Sequence, residues 1–269
     1  MINNLRGVYI IWYRDLVRFK HDRMRMVGSL AMPLLFLFVF SRGLSSSFGL
    51  FGGEVDFTQF MFPGVIGMAV LTGSFMGGVS VVWDREFGFL KEVLVAPISR
   101  ASVAVGKTLG AATIAVLQGG IILAFAPLMG ISLSVGAMAV LGAMMLLLAV
   151  SMGAFGVLLA TRIRTMEAYY AVTNMLMFPM VFLSGVFFPL QGLPTWMDVL
   201  MKINPATYAV VSIRQIVLGA SPDSAFGVSL FGHTMTIWNN VGVLLAFGAV
   251  VIWLAVRALS NQEQFSMAW

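Results

Sequence analysis

Six apolar runs alternate with charged or Gly- and Pro-rich stretches along this chain, at about residues 26–41, 57–82, 102–129, 132–161, 168–188 and 237–256. None of the six holds Asp or Glu in its middle. About 20 apolar residues cross the hydrocarbon of a bilayer as a helix, so the pattern predicts an all-α polytopic membrane protein with six transmembrane helices. The first run is short, contains Pro33 and extends past Arg42, whose head can snorkel to the surface. Gly130 supplies the tight turn between the third and fourth runs.

The stretches between the runs carry their own patterns. Residues 1–25 place Ile2, Leu5, Tyr9, Trp12, Leu16 and Phe19 three and four apart, which is one helical stripe. Arg6, Arg14, Arg18, Lys20, Arg23 and Arg25 fall largely off it, so the segment reads as an amphipathic helix in the membrane interface. Residues 43–56 are a Gly/Ser-rich loop with Glu54 and Asp56. Residues 162–167 are a short charged turn. Residues 189–236 are irregular and hold Pro189, Pro194, Pro205 and Pro222. Within them, 199–203 and 206–218 are apolar but too short to span, and they are divided at Asn204-Pro205. Such a pair either dips into the bilayer packed against the spans, because lipid excludes exposed backbone, or lies on the surface as two amphipathic helices. No linker or repeat divides the chain, so residues 1–269 read as a single transmembrane domain.

Composition sharpens this picture. The chain is 59% hydrophobic and 10% charged, against about a quarter charged in soluble domains, and its mean hydropathy is +0.95. The first two dozen residues are too charged for a secretory signal. With no cysteine, disulfides and thiol chemistry are excluded. The net charge of +5 is a topology signal rather than a sign of nucleic acid. Thirteen of sixteen Lys and Arg fall on one side of a six-span topology, leaving Arg42, Lys202 and Arg214 on the other. That asymmetry puts both termini in the cytoplasm.

Candidate chemistry is sparse. Ion-driven pumps carry ionisable groups at membrane depth, and the runs lack them, so transport energy would come from a partner. Gly106-Lys107-Thr108 resembles the end of a phosphate-binding loop, but Ala101 stands where that loop needs glycine and no Walker-B-like strand is present. Lys107 reads instead as a cytoplasmic anchor for the third span. Gln118, Ser151, Thr173 and Asn174 are polar within spans and suit interhelical hydrogen bonds. Gln118 and Asn174 are also candidates for a transport path. Gly73/Gly77 and Gly106/Gly110 have the spacing of close helix packing. The twenty Met and twenty-two Phe suit bulk packing more than a cargo path. His21 and His233 stand alone, without metal-ligand spacing.

Residues 83–100, Trp-Asp-Arg-Glu-Phe-Gly-Phe-Leu-Lys-Glu-Val-Leu-Val-Ala-Pro-Ile-Ser-Arg, give the strongest local signal. Phe87, Leu90 and Leu94 share a helical face, Asp84, Arg85, Glu86, Lys91 and Glu92 surround it, Pro97 stops the helix and Ser99 can cap the next one. This stretch resembles the segment after span 2 in type-2 ABC transporter permeases of the daunorubicin-resistance-like branch. Gly185-Val186-Phe187-Phe188-Pro189, Leu193-Pro194, Asn204-Pro205-Ala206-Thr207-Tyr208 and Arg214 resemble the same family in the same order. Phe89 departs from the small Thr usual there, which bears on the choice of partner. The resemblance implies that residues 83–100 are a coupling helix, with Asp84, Arg85, Glu86, Phe87, Leu90, Glu92 and Leu94 facing an ATPase. It further implies that 1–25 is the connecting helix and that 189–236 is an outer re-entrant region marked by Asn204, Pro205, Tyr208 and Arg214. Two ATP-binding subunits and a second copy of this chain or a similar permease would complete the assembly. ATP and Mg²⁺ would sit on the partner ATPase, and no cofactor on this chain.

Together these readings predict the multi-pass permease subunit of an ATP-driven exporter in the cell inner membrane, surrounded by lipid. Its cargo would be an amphipathic drug, a lipid or a lipid-linked glycan. The chain would not itself be an enzyme. The rival from another class is an ATP-independent lipid scramblase or membrane scaffold, which would not capture an ATPase.

Overall fold

In a computed structural model, residues 2–40, 43, 57–87, 98–188, 190, 192–219, 221, 227–230 and 233–261 are described. The ten helices described here are α1 (Ile2–His21), α2 (Arg23–Leu35), α3 (Phe57–Ser74), α4 (Met76–Glu86), α5 (Arg100–Leu123), α6 (Val135–Arg162), α7 (Met166–Phe182), α8 (Thr195–Ile203), α9 (Pro205–Leu218) and α10 (Ile237–Asn261). A π-helical turn at Phe36–Phe40 continues α2, and a 3₁₀ turn at Ala126–Met129 follows α5. Helix starts obey local chemistry: Ser99, Ser134 and Thr165 accept from the amides of Ser102, Ala137 and Ala168 at 3.2, 3.2 and 3.3 Å. Each bond satisfies an amide that a helix start leaves open.

Four helical stretches are long and apolar enough to cross a membrane: Phe57–Glu86, Arg100–Leu123, Val135–Arg162 and Ile237–Leu259. They fall on the second, third, fourth and sixth apolar runs. The first run forms a shorter apolar helix, Met26–Val39. The fifth forms α7, whose 17 residues rise about 25 Å at ~1.5 Å each. A two-residue hairpin, Ser229–Leu230 against His233–Thr234, is a small exception to the predicted all-α fold.

The bundle is built around α3 and α4. The most apolar window of Phe57–Glu86 is 89% buried, against 22% for α10, which lies at the periphery. Phe62, Val65, Ile66 and Val70 of α3 join Leu141, Met145 and Leu148 of α6 and Val210 and Ile213 of α9 in one core. Gly73 and Gly77 let α3–α4 approach α5. A β-carbon on Gly73 would lie 3.0 Å from the Cα of Ala115, and one on Gly77 would lie 2.6 Å from the Cβ of Ala111. Gly106 and Gly110 of α5 serve α1 in the same way, facing Ile11 and Asp15.

Two details depart from the sequence-based expectation. The face of α1 that is buried runs through Gly7, Ile11, Asp15 and Phe19, packed on α5, while Leu5 and Tyr9 of the predicted stripe are exposed. Ring spacing found an apolar stripe, but the glycines of α5 choose the face that packs. The 1–25 segment is also two helices that meet at Asp22 rather than one. Helix α9 packs against α3, α6 and α10 and is buried on nearly all sides.

Candidate functional site

Two sites come together from these elements: a charged node at one end of the bundle and an apolar groove along its flank.

The node forms around the last turn of α4. Asp84, only 3% exposed, accepts from Lys107 Nζ of α5 at 2.6 Å and from Arg14 Nη2 of α1 at 2.5 Å. Lys107, 1% exposed, also donates to Asp15 Oδ1 at 3.1 Å and to the Ser80 hydroxyl. Ser80 in turn donates to Asp15 Oδ2 at 3.0 Å. Charges alternate across the contact: α1 offers Arg14 and Asp15 in succession, and α4 and α5 answer with Asp84 and Lys107. Arg18 adds a longer approach to Asp84 at 3.9 Å and stacks over Trp83 at 4.6 Å. Buried charge is tolerated only when paired and hydrogen-bonded, and this arrangement supplies both conditions.

The next two residues reach the opposite way. Arg85 Nη1 donates to the carbonyl oxygens of Ala160 and Ile163 at 3.1 and 2.9 Å, closing the C-terminal end of α6. A cation at that end also meets the negative pole of the helix dipole. Glu86 accepts from the amide of Met166 at 3.0 Å, at the start of α7. One helical turn, Asp84-Arg85-Glu86, therefore holds α1 and α5 on one side and the α6–α7 turn on the other.

For the residues assigned to ATPase contact, these positions matter individually. Asp84 is occupied inside the chain, and Arg85 and Glu86 bond to other elements of it. Phe87 is 65% exposed. Leu90, Glu92 and Leu94 lie outside the described residues. Lys107, read as an anchor reaching water, is instead a buried partner of two carboxylates. Buried carboxylates do exist here, but at the bundle end and paired, not in the middle of the apolar runs. Among the described residues, no three His, Asp or Glu side chains gather as metal ligands.

The groove, about 400 Å³, lies between α2, α3, α4 and α7. Met32, Phe36, Met68, Phe75, Met177 and Phe178 make most of its wall. Polar points are few: Ser29 on α2, Thr72 on α3, and Tyr170, Thr173 and Asn174 on α7. Asn174 thus lines it, as the sequence suggested for a path. Gln118 does not line it. It stands behind, donating to Ser29 Oγ at 2.6 Å. Tyr169, also turned away from the groove, donates to the carbonyl oxygens of Phe75 and Gly156 at 2.9 and 3.2 Å and fixes α7 against the α3–α4 junction and α6.

Asn204, Pro205, Tyr208 and Arg214 form a separate group. Asn204 caps α9 through the Ala206 amide at 3.1 Å and donates to Met180 O at 2.8 Å. Pro205 opens α9, where its missing N–H is no loss. Tyr208 donates to Lys202 O at 2.6 Å, closing the α8–α9 corner. Arg214, fully buried, donates to Gly185 O at 2.8 Å and stacks on Phe60 at 4.2 Å. These residues strap the end of α7 and the residues after it to α9; none of them lines the groove.

Sequence reasoning missed Arg14 and Lys107 as partners of Asp84, and Asp15 and Ser80 as partners of Lys107. A lone acidic residue on the glycine-facing side of a basic helix was the available signal.

The family model for the ABC-2 type transporter matches residues 6–218. The chain is similar to the putative transport permease ycf38 of Cyanophora paradoxa, 27% identical over 263 residues, covering 96% of this chain and 90% of that protein. It is 26% identical over 197 residues to the probable multidrug ABC transporter permease YbhR of Escherichia coli, covering 73% of this chain and 50% of that one. Against the daunorubicin resistance ABC transporter permease protein DrrB1 of Streptomyces coeruleorubidus, identity is 24% over 216 residues, with coverage of 78% and 74%. The matched region contains the charged node, the groove and the α8–α9 pair, and the chain belongs to the ABC-2 type transporter family as the multi-pass transport permease subunit of an ABC transporter.

Proposed function

We propose that this permease exports an amphipathic cargo, a drug, a lipid or a lipid-linked glycan, driven by ATP hydrolysis on separate subunits. The observation that carries the cargo class is the groove. Its wall is Met and Phe with isolated hydroxyls and one amide, which suits a molecule with a large apolar body and a few hydrogen-bonding groups. The flexible thioethers of Met32, Met68, Met76 and Met177 suit a range of shapes.

On this reading six segments span the inner membrane, with α2 and its π turn as the first and α7 as the fifth. The node and both termini face the cytoplasm, in keeping with the gathering of basic residues there. The α8–α9 pair is the re-entrant element of the outer side. Two copies of this chain, each supplying half a path, stand above two ATP-binding subunits that hold ATP and Mg²⁺. Residues 83–100 couple the two layers, with Phe87 as the exposed contact among the described residues and Leu90, Glu92 and Leu94 expected to share it. Hydrolysis shifts the path between states because the states differ in nucleotide affinity.

Affinity purification from the native membrane, followed by reconstitution, tests this. An ATPase subunit should copurify, and amphipathic compounds should stimulate hydrolysis in vesicles. A pure permease that scrambles lipid without any ATPase would replace this reading with the passive alternative.

A further inference from the structure

We propose that the α2–α3 wall of the groove accepts hydrogen bonds without donating them, and that Ser29 and Thr72 select cargo whose head group is a protonated amine. The inference rests on the reading of the groove as the cargo path. It goes beyond that reading by fixing which hydrogen-bonding groups the cargo must offer, and by naming the residues that receive them.

Both hydroxyls give their single proton to their own helix. Ser29 Oγ donates to Met26 O at 3.0 Å, and Thr72 Oγ1 donates to Met68 O at 2.8 Å. A hydroxyl has one proton and two acceptor lone pairs, so what each turns to the groove is an acceptor. Gln118 fixes this state at Ser29. Its carboxamide is buried and seated against Gly73, where a β-carbon would strike Oε1 and lie 3.1 Å from Cδ. Nε2 donates to Ser29 Oγ at 2.6 Å. That bond holds the Ser29 proton on Met26 O and leaves one lone pair for a ligand. Gly73 is the chain neighbour of Thr72, so Gln118 reaches from one hydroxyl residue to the flank of the other. Ser29 offers a second oxygen. Pro33 stands within α2 and has no amide hydrogen, so the helical bond that would end on Ser29 O is absent. Ser29 and Pro33 both line the groove. Tyr170, Thr173 and Asn174 on α7 carry groups that donate or accept, so they impose no polarity. Among the described residues no Lys, Arg or His lines the groove, and no Asp or Glu does. An anionic head group meets oxygens and ring faces on the α2–α3 wall, with nothing to offset its desolvation. A protonated amine meets acceptors for its N–H groups and five phenylalanine rings, whose faces attract a cation. A quaternary ammonium keeps the rings but has no N–H for the oxygens.

Occupancy of the groove can be read without any ATPase. In this cysteine-free chain, Met177→Cys places a single thiol in the groove wall. The permease carrying it is placed in lipid nanodiscs, and its alkylation by a maleimide is slowed by whatever fills the groove. The probes are decylamine, decyltrimethylammonium and decanesulfonate, with each concentration converted to the amount in the bilayer by its measured partition. Decylamine should half-protect the thiol at about one-tenth the concentration that decyltrimethylammonium needs, the ratio a hydrogen bond to a charged group supplies. Decanesulfonate should need more than either. Thr72→Val keeps the side chain's shape and removes one acceptor. Ser29→Ala with Gln118→Leu removes the other without stranding a buried amide. Each change should lower the amine-to-quaternary preference about threefold, and all three substitutions together should bring it to about one. The quaternary compound's own half-protection should stay as it was, a result that a merely structural role for these residues would not give. Equal protection by the amine and the quaternary compound in the wild type overturns the proposal, as does protection by the sulfonate equal to the amine's. A preference that survives all three substitutions overturns it too. So does their abolishing protection by both cations, because the hydroxyls then hold the groove's shape rather than choose its contents. If none of the three probes protects the wild-type groove, the cargo-path reading fails and the inference with it. That result is distinct from a groove that protects without preference.

Discussion

Lys107 lies between two carboxylates, and Lys107→Met removes its charge while nearly keeping its length. Breaking a buried ion pair by deleting one partner costs about 3–5 kcal/mol, because the other charge is left behind. Here the remaining charges moderate that figure unequally. Asp84 keeps Arg14 at 2.5 Å, although the Arg14 side chain is 30% exposed. Asp15 keeps only Arg14 at 3.7 Å and the hydroxyl of Ser80 at 3.0 Å. The lower end of the range, about 3 kcal/mol, is the expected loss. Adding Asp84→Asn removes one of the stranded carboxylates. The double variant should then be about 2 kcal/mol more stable than the sum of the two single losses implies, within the coupling seen for touching charges. Equilibrium unfolding of the purified permease in detergent measures all four corners of the cycle. Additive losses, or a single loss below about 1 kcal/mol, would show that the cluster is a solvated surface network and would refute the reasoning.

Four further outcomes follow from local geometry. Gly78→Ala should destabilise by about 3 kcal/mol or prevent folding, since its β-carbon would fall 1.9 Å from Tyr169 Oη and 2.3 Å from Gly156 O; Gly120→Ala, with nothing within 4 Å, should be neutral or stabilise by up to about 1 kcal/mol in the same unfolding assay. Asn204→Ala removes the α9 cap and the bond to Met180 O, and should cost about 1–2 kcal/mol, read as a lower unfolding midpoint. Met177→Trp narrows the groove and should raise the concentration of an amphipathic stimulator needed for half-maximal ATPase activity about tenfold, equivalent to about 1.4 kcal/mol.

The apolar runs determined by themselves that the chain is a helical membrane protein. Length and polarity are enough for that, because lipid tolerates only segments whose backbone bonds are internal. The cap at Ser99 and the break at Asn204-Pro205 were equally legible, since each depends on neighbours in sequence. What only tertiary structure decided is which polar residues meet. Lys107 read as an anchor because charges flanking a span ordinarily face water, and the family resemblance gave Asp84 a partner outside the chain. Their burial depends on Asp15, 92 residues from Lys107 in the chain, arriving on the glycine face of α5. Likewise, ring spacing gave α1 an apolar stripe, yet small residues on the neighbouring helix set the face that packs. Periodicity reports what a helix can bury; the shape of the surface it meets determines what it does bury.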